Sequence, residues 1–110
     1  VVQEGTECHH IVVEDWAKME NPRGCLFVSI PSILDESLAP KGHHTFHAFA
    51  PEFIVEYQGL SAKEYQALKE KHADEIIDHL EAAAFPGLRD AIVFREVSFL
   101  CFFCPSLANY

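Results

Sequence analysis

Ser61 and Glu64 stand three residues apart at the head of a run in which Tyr65, Leu68, Ala73, Ile76, Ile77, Leu80 and Ala84 recur at steps of three and four. That spacing builds one apolar helix face. The serine and glutamate make a capping box, in which the serine oxygen accepts the Glu64 amide and the carboxylate reaches back to the serine amide, with Leu60 placed to staple onto Tyr65. Lys63, Glu70, Lys71, Asp74 and Asp78 fall largely outside the apolar face, and Phe85-Pro86-Gly87 ends the helix near Ala84. A helix of this kind has to lay its stripe on something flat, so the segments before and after it are expected to supply a sheet.

Strand-like runs do precede it. Residues 8–13 form a short β-branched run, residues 14–19 add one helical turn, and Asn21-Pro22-Arg23-Gly24 has turn chemistry. Residues 25–30 are nearly all apolar or small and read as a strand covered on both faces, with Leu26, Val28 and Ile30 on one side and Phe27 and Ser29 on the other. Pro31 closes it. After a connection in which Asp35 and Ser37 favour local turns, residues 44–49 read as a further strand, with Thr45, His47 and Phe49 opposite His44, Phe46 and Ala48. The connection is long for a tight hairpin but suits antiparallel neighbours. Alternation over residues 92–97 predicts a last strand. The fold class is therefore α+β: a small mixed, largely antiparallel sheet with one long amphipathic helix.

Charge narrows the partners. Among 110 residues, 17 are acidic and 8 basic, giving a net charge of -9 that repels phosphate backbones and anionic membrane surfaces. Nucleic acid is not an expected partner. No apolar run approaches the length of a membrane span, so any membrane contact would be peripheral. The four cysteines, Cys8, Cys25, Cys101 and Cys104, are expected as reduced thiols. Cys101 and Cys104 share a Cys-x-x-Cys spacing, but their apolar, aromatic setting blunts thiolate chemistry.

Other chemistry is weakly encoded. Cys8, His9, His10, His43, His44 and His47 are zinc-ligand types, yet neighbours in a strand point to opposite faces and neither histidine pair has converging spacing. Edge histidines bonded to loops are the simpler expectation. His72, Glu75 and His79 lie near one helical stripe and read as a solvated flank. No Gly-x-Ser-x-Gly elbow surrounds Ser29, Ser32 or Ser37, and no Gly-x-Gly-x-x-Gly or Walker loop occurs. Composition and spacing identify no catalytic residue and no metal ligand.

The segments Thr6-Glu-Cys-His-His-Ile-Val-Val-Glu-Asp-Trp16, Phe27-Val-Ser-Ile-Pro-Ser-Ile-Leu-Asp35, Ser37-Leu-Ala-Pro-Lys-Gly-His43 and Gly59-Leu-Ser-Ala-Lys-Glu-Tyr65, followed by Phe85-Pro-Gly-Leu88 and Phe94-Arg-Glu-Val97, occur in that order. Together they resemble part of the prolycopene isomerase (carotenoid isomerase) family, within the phytoene desaturase and amine oxidase superfamily. The resemblance implies that residues 1–97 are a partial substrate-binding domain of an FAD-dependent enzyme of plastids or cyanobacteria that turns poly-cis lycopene into the all-trans form. It also implies a flavin held by a separate FAD-binding domain, with no FAD bound and no activity expected of this segment alone. A hydrocarbon substrate is recognised by shape and apolar lining, and Phe27, Ser29, Phe46 and Phe49 are the tunnel candidates. A related carotenoid desaturase, a retinol saturase and a noncatalytic module for apolar ligands are the alternatives. Residues 98–110 depart from the family pattern and read as a divergent tail.

Overall fold

The computed structural model describes residues 1–21, 23–52 and 57–98. Three strands, β1 (His9–Val13), β2 (Cys25–Ser29) and β3 (His47–Phe49), form an antiparallel sheet in the order β1-β2-β3, with β2 central. Two helices follow, α1 (Ala62–Ala83) and the single turn α2 (Leu88–Ala91). The result is an α+β fold whose helices cover one face of the sheet.

The central strand sets the layering. Leu26, Val28 and Ile30 are almost fully buried, and they form one core cluster with Val12 of β1, Leu80 of α1, Phe85 and Leu88. Ala48, Ile76, Ile77 and Ile92 pack around its rim. On the other face Cys25 is buried but Phe27 and Ser29 are only half-buried, so the described residues cover β2 fully on one face and in part on the other, not equally on both.

Helix α1 starts as its sequence requires. Ser61 Oγ accepts the Glu64 amide at 3.2 Å, and Glu64 accepts the Ser61 amide at 3.1 Å. At the other end the Ala84 and Phe85 amides both donate to the Leu80 carbonyl, and Gly87 turns the chain with a φ of 82° that favours glycine. Between β1 and β2, Trp16–Lys18 make a 3-10 turn whose N-cap, Asp15, accepts the Ala17 amide. Gly24 packs so tightly beneath it that a Cβ would lie 2.1 Å from the Lys18 carbonyl oxygen.

Two strand assignments change. The strand expected over residues 44–49 is confined to His47–Phe49. Extending the register of Phe27 with Phe49 would set Thr45 against Pro31, which has no amide to offer, and the Thr45 amide instead donates to Ser32 Oγ at 3.0 Å. Residues 92–97 form no strand. Arg95 bonds Glu70 at 2.6 Å and Asp74 at 2.8 Å, which holds this segment in the helical layer away from the sheet edges, and Val93 and Phe94 are more than four-fifths exposed.

Leu26→Ala should cost about 2–5 kcal/mol of stability, because it empties a fully buried site between sheet and helix. Urea unfolding monitored by helical circular dichroism measures the loss; a change below 1 kcal/mol would contradict the layering.

Candidate functional site

The outward face of the sheet is organised in cross-strand rows. Ile11, Phe27 and Phe49 are register partners and therefore share one side, with Ile11 67% and Phe49 54% exposed. The Phe27 and Phe49 rings stack with centroids 5.0 Å apart and planes 12° from parallel. Beside this row lies a polar one, His9, Ser29 and His47, linked by the same register. His47 and Phe49 rings are 6.0 Å apart. An outward apolar row of this kind has no partner within the described residues.

Of the four tunnel candidates, Phe27, Ser29 and Phe49 thus share one face of the sheet. Phe46 does not join them. Its ring lies edge-on to Phe85, 5.1 Å away and 83° from parallel, on the core side. Ile11 was missed in the sequence; only the register between β1 and β2 brings it beside Phe27.

A second cluster is polar. Arg23 holds both carboxylate oxygens of Glu52 at 2.7 Å and reaches Glu75 of α1 at 2.9 Å. Glu52 lies 3.7 Å from His72 Nδ1, which shares a hydrogen bond of 2.5 Å with the Tyr57 hydroxyl. His72 is buried, so the solvated-flank reading of this histidine is corrected: Tyr57 supplies a partner that lets the ring leave water. Tyr57 in turn meets Tyr65 edge-on at 5.6 Å. His79 faces Glu14 at 3.9 Å. The cluster ties the turn at Arg23 and the segment before α1 to the helix. Its inner members, Glu52 and His72, are largely shielded from solvent, whereas Glu75 and Glu14 reach it.

Three of the remaining histidines bond loop or turn groups. His10 Nε2 donates to the Glu7 carbonyl at 2.7 Å, His43 Nδ1 donates to the Lys41 carbonyl at 3.1 Å, and His44 Nδ1 pairs with Ser32 Oγ at 2.8 Å. Among the described residues no three His, Cys, Asp or Glu side chains gather to hold a metal ion, and no helix is long and apolar enough to cross a membrane. Cys8 and Cys25 are buried free thiols, while Cys101 and Cys104 lie outside the described residues. The tail reading falls outside them too from residue 99 onward.

No family model and no solved structure matches the chain. Curated proteins do. Prolycopene isomerase 2, chloroplastic, of an Oncidium hybrid cultivar is 52% identical over 98 residues, 88% of this chain and 17% of the relative. The Arabidopsis thaliana prolycopene isomerase is 50% identical over the same share of the chain, which is 16% of its own length. The chain belongs to the prolycopene isomerase family. A phytoene desaturase (lycopene-forming) of Pseudescherichia vulneris is more distant, at 33% identity over 72 residues, 66% of the chain and 14% of that protein. The chain thus spans about a sixth of the length of the isomerases it matches.

Among the described residues, the N-terminus of the one long helix offers no open cradle for a flavin dinucleotide. The N-terminus of α1 is filled by its own Ser61 and Glu64, so a pyrophosphate would meet a carboxylate where it needs free amides.

On the far side of α1, Arg89 and Arg95 converge on acidic side chains. Arg95 bonds Asp74 and Glu70, and Arg89 bonds Asp78 and the Asp74 carbonyl. The hydrogen bond from Arg95 holds the Asp74 carboxyl below its ordinary range, against a smaller opposing effect of desolvation and with Arg89 assisting. Folded Asp74 therefore takes up a proton at lower pH than unfolded Asp74, and its contribution is complete above the unfolded value near 3.8 and lost as pH falls through the folded one. Asp74→Asn should lower the melting temperature modestly at pH 7 and flatten its fall between pH 5 and 3 (about the carboxylate range). Parallel melts of both proteins across that range check this; an unchanged acid limb would remove Asp74 from the account.

Proposed function

We propose that residues 1–97 form part of the substrate-binding domain of a carotenoid cis-trans isomerase, which converts poly-cis lycopene into all-trans lycopene in a chloroplast or other plastid. The observation that carries this reading is the 50–52% identity to proteins named prolycopene isomerases, against 33% to a phytoene desaturase. The geometry supports it. A hydrocarbon gives a protein no hydrogen-bond handle, so its site has to be an apolar surface that water leaves readily. The Phe27 and Phe49 stack with Ile11 is such a surface, and it stands on the side of the sheet that the core does not use.

In this reading Phe27, Ser29 and Phe49 line the carotenoid site, and Phe46 contributes from behind by fixing Phe85 and the strand that bears Phe49. The FAD that supplies the redox chemistry in this reading is held by a dinucleotide domain outside these residues. The opposite wall of the site comes from the same longer polypeptide. Attachment to a membrane surface, where a hydrocarbon substrate resides, belongs to that longer protein as well.

The full-length protein carrying this segment, purified with its flavin and reduced, should convert poly-cis lycopene to a product of unchanged mass and all-trans absorption. Loss of two hydrogens per step from a more saturated carotene would make it a desaturase instead. The 110-residue chain alone should leave the fluorescence of added FAD unchanged, and a saturable change would overturn the division between the two domains.

A further inference from the structure

We infer that the carotenoid crosses this sheet at right angles to its strands, seated on the Ile11, Phe27 and Phe49 row and bounded on one side by the His9, Ser29 and His47 row. The inference rests on the carotenoid reading and adds the direction of the ligand and a residue, Ile11, that the sequence motifs do not single out. Neighbouring strands lie about 4.8 Å apart, so the row spans about 10 Å of backbone from Ile11 to Phe49, and its side chains extend that length at both ends. Two residues along a strand advance about 6.8 Å, so the polar row begins that far from the apolar one.

Those two spacings choose between tracks. A polyene lying along β2 would pass from the Phe27 ring onto the Ser29 hydroxyl in one direction and run into Cys25, which is buried and closed to it, in the other. Along β3 it would pass from the Phe49 ring onto the His47 imidazole. Each polar group would lose water and gain nothing from a hydrocarbon. A polyene lying across the strands meets Ile11, then the stacked pair of rings, and strips water only from apolar atoms. Ile11 and Phe49, the two ends of the row, are open to solvent, so a ligand on this track can reach both of them.

Charge selects the occupant. None of the outward-facing residues of the three strands is Asp, Glu, Lys or Arg, in a chain of net charge -9. An ionic or phosphorylated ligand would find no counter-charge on this face, whereas a neutral polyene needs none. A packing face for another part of the polypeptide is the competing occupant, and the test below separates it.

The full-length protein is titrated with lycopene in detergent micelles, following quenching of protein fluorescence and the shift of the polyene absorption bands. Ile11→Lys on β1 and Phe49→Lys on β3 should each weaken binding by tenfold or more, while Val93→Lys, on an exposed apolar residue away from the sheet, should leave it unchanged. Ile11→Thr and Phe49→Ser give the same comparison in milder form should a lysine prevent folding. Weakening at only one of the two positions would mean a ligand running along a strand and would overturn the crossing. Unchanged affinity with a lowered melting temperature in both variants would mean that polypeptide covers the face, which overturns it as well. If the unsubstituted protein failed to bind lycopene, the carotenoid reading itself would fall; if it bound and both variants bound equally, only the present inference would.

Discussion

The contact of Leu26, Val28 and Ile30 with Leu80, Phe85 and Leu88 is what the other parts of this structure are arranged around. A three-stranded sheet with a strand of only three residues has little independent stability, and its inner face has to be covered before its hydrogen bonds are worth keeping. Helix α1 provides that cover, and its length is held at the start by its own capping box. Phe85 then does two things at once. It fills the end of the core, and its ring receives His10 and Phe46 edge-on at 5.1 Å from opposite edges of the sheet, which closes the sheet onto the helical layer. Because this cluster lies on one face, Ile11, Phe27 and Phe49 stand outside it, and that leaves an uncharged outward row for the proposed ligand.

Charged side chains do a different job here from the apolar ones. Arg23 joins Glu52 and Glu75 on one side of α1, and Arg89 and Arg95 join Asp74, Asp78 and Glu70 on another. Pairs as exposed as the second group add little stability each. What they decide is position: in segment 92–97 Ile92 packs at the rim of the core, but Val93 and Phe94 are exposed, and Arg95 ties the part that follows to α1. The Arg23 group is better sheltered, and its members are mutually satisfied, so removing one partner would strand the others in a poorly hydrated site. Neither group includes a residue of the outward row, which carries no Asp, Glu, Lys or Arg.

Features that depend on short spacing were legible in the sequence. The capping box, the end of α1 at the Phe85-Pro86-Gly87 turn, the Asp35 turn and the alternation of Leu26 and Val28 against Phe27 and Ser29 in β2 all involve residues within a few positions of one another, whereas the cover expected on both faces of β2 does not. Features that depend on distant partners were not. His72 was read as solvated because its buried partner, Tyr57, is fifteen residues away. A strand was read over residues 92–97 because alternation is a local property, whereas a strand also needs an edge to pair with, and Arg95 ties this segment to α1 instead. The candidate site shows both cases in small. Phe46 and Phe49 differ by three positions and so face opposite ways in any strand, a parity that already separated them; Ile11 could enter only once β1 was registered against β2.

That separation of faces bears on how a family can keep one fold while changing what it binds. Substituting an inward residue such as Val28 opens the core, and the fold fails before its specificity can drift. Substituting an outward residue such as Ile11 or Phe49 alters a surface on which the core does not depend. Length, bulk and polarity along the outward rows can therefore vary against a constant inner face. The isomerase and desaturase relatives, which share this segment at very different levels of identity, are expected to differ more in the outward rows than in the buried ones. In that sense the sheet works as two surfaces with separate constraints, joined by one backbone whose register is set from the buried side.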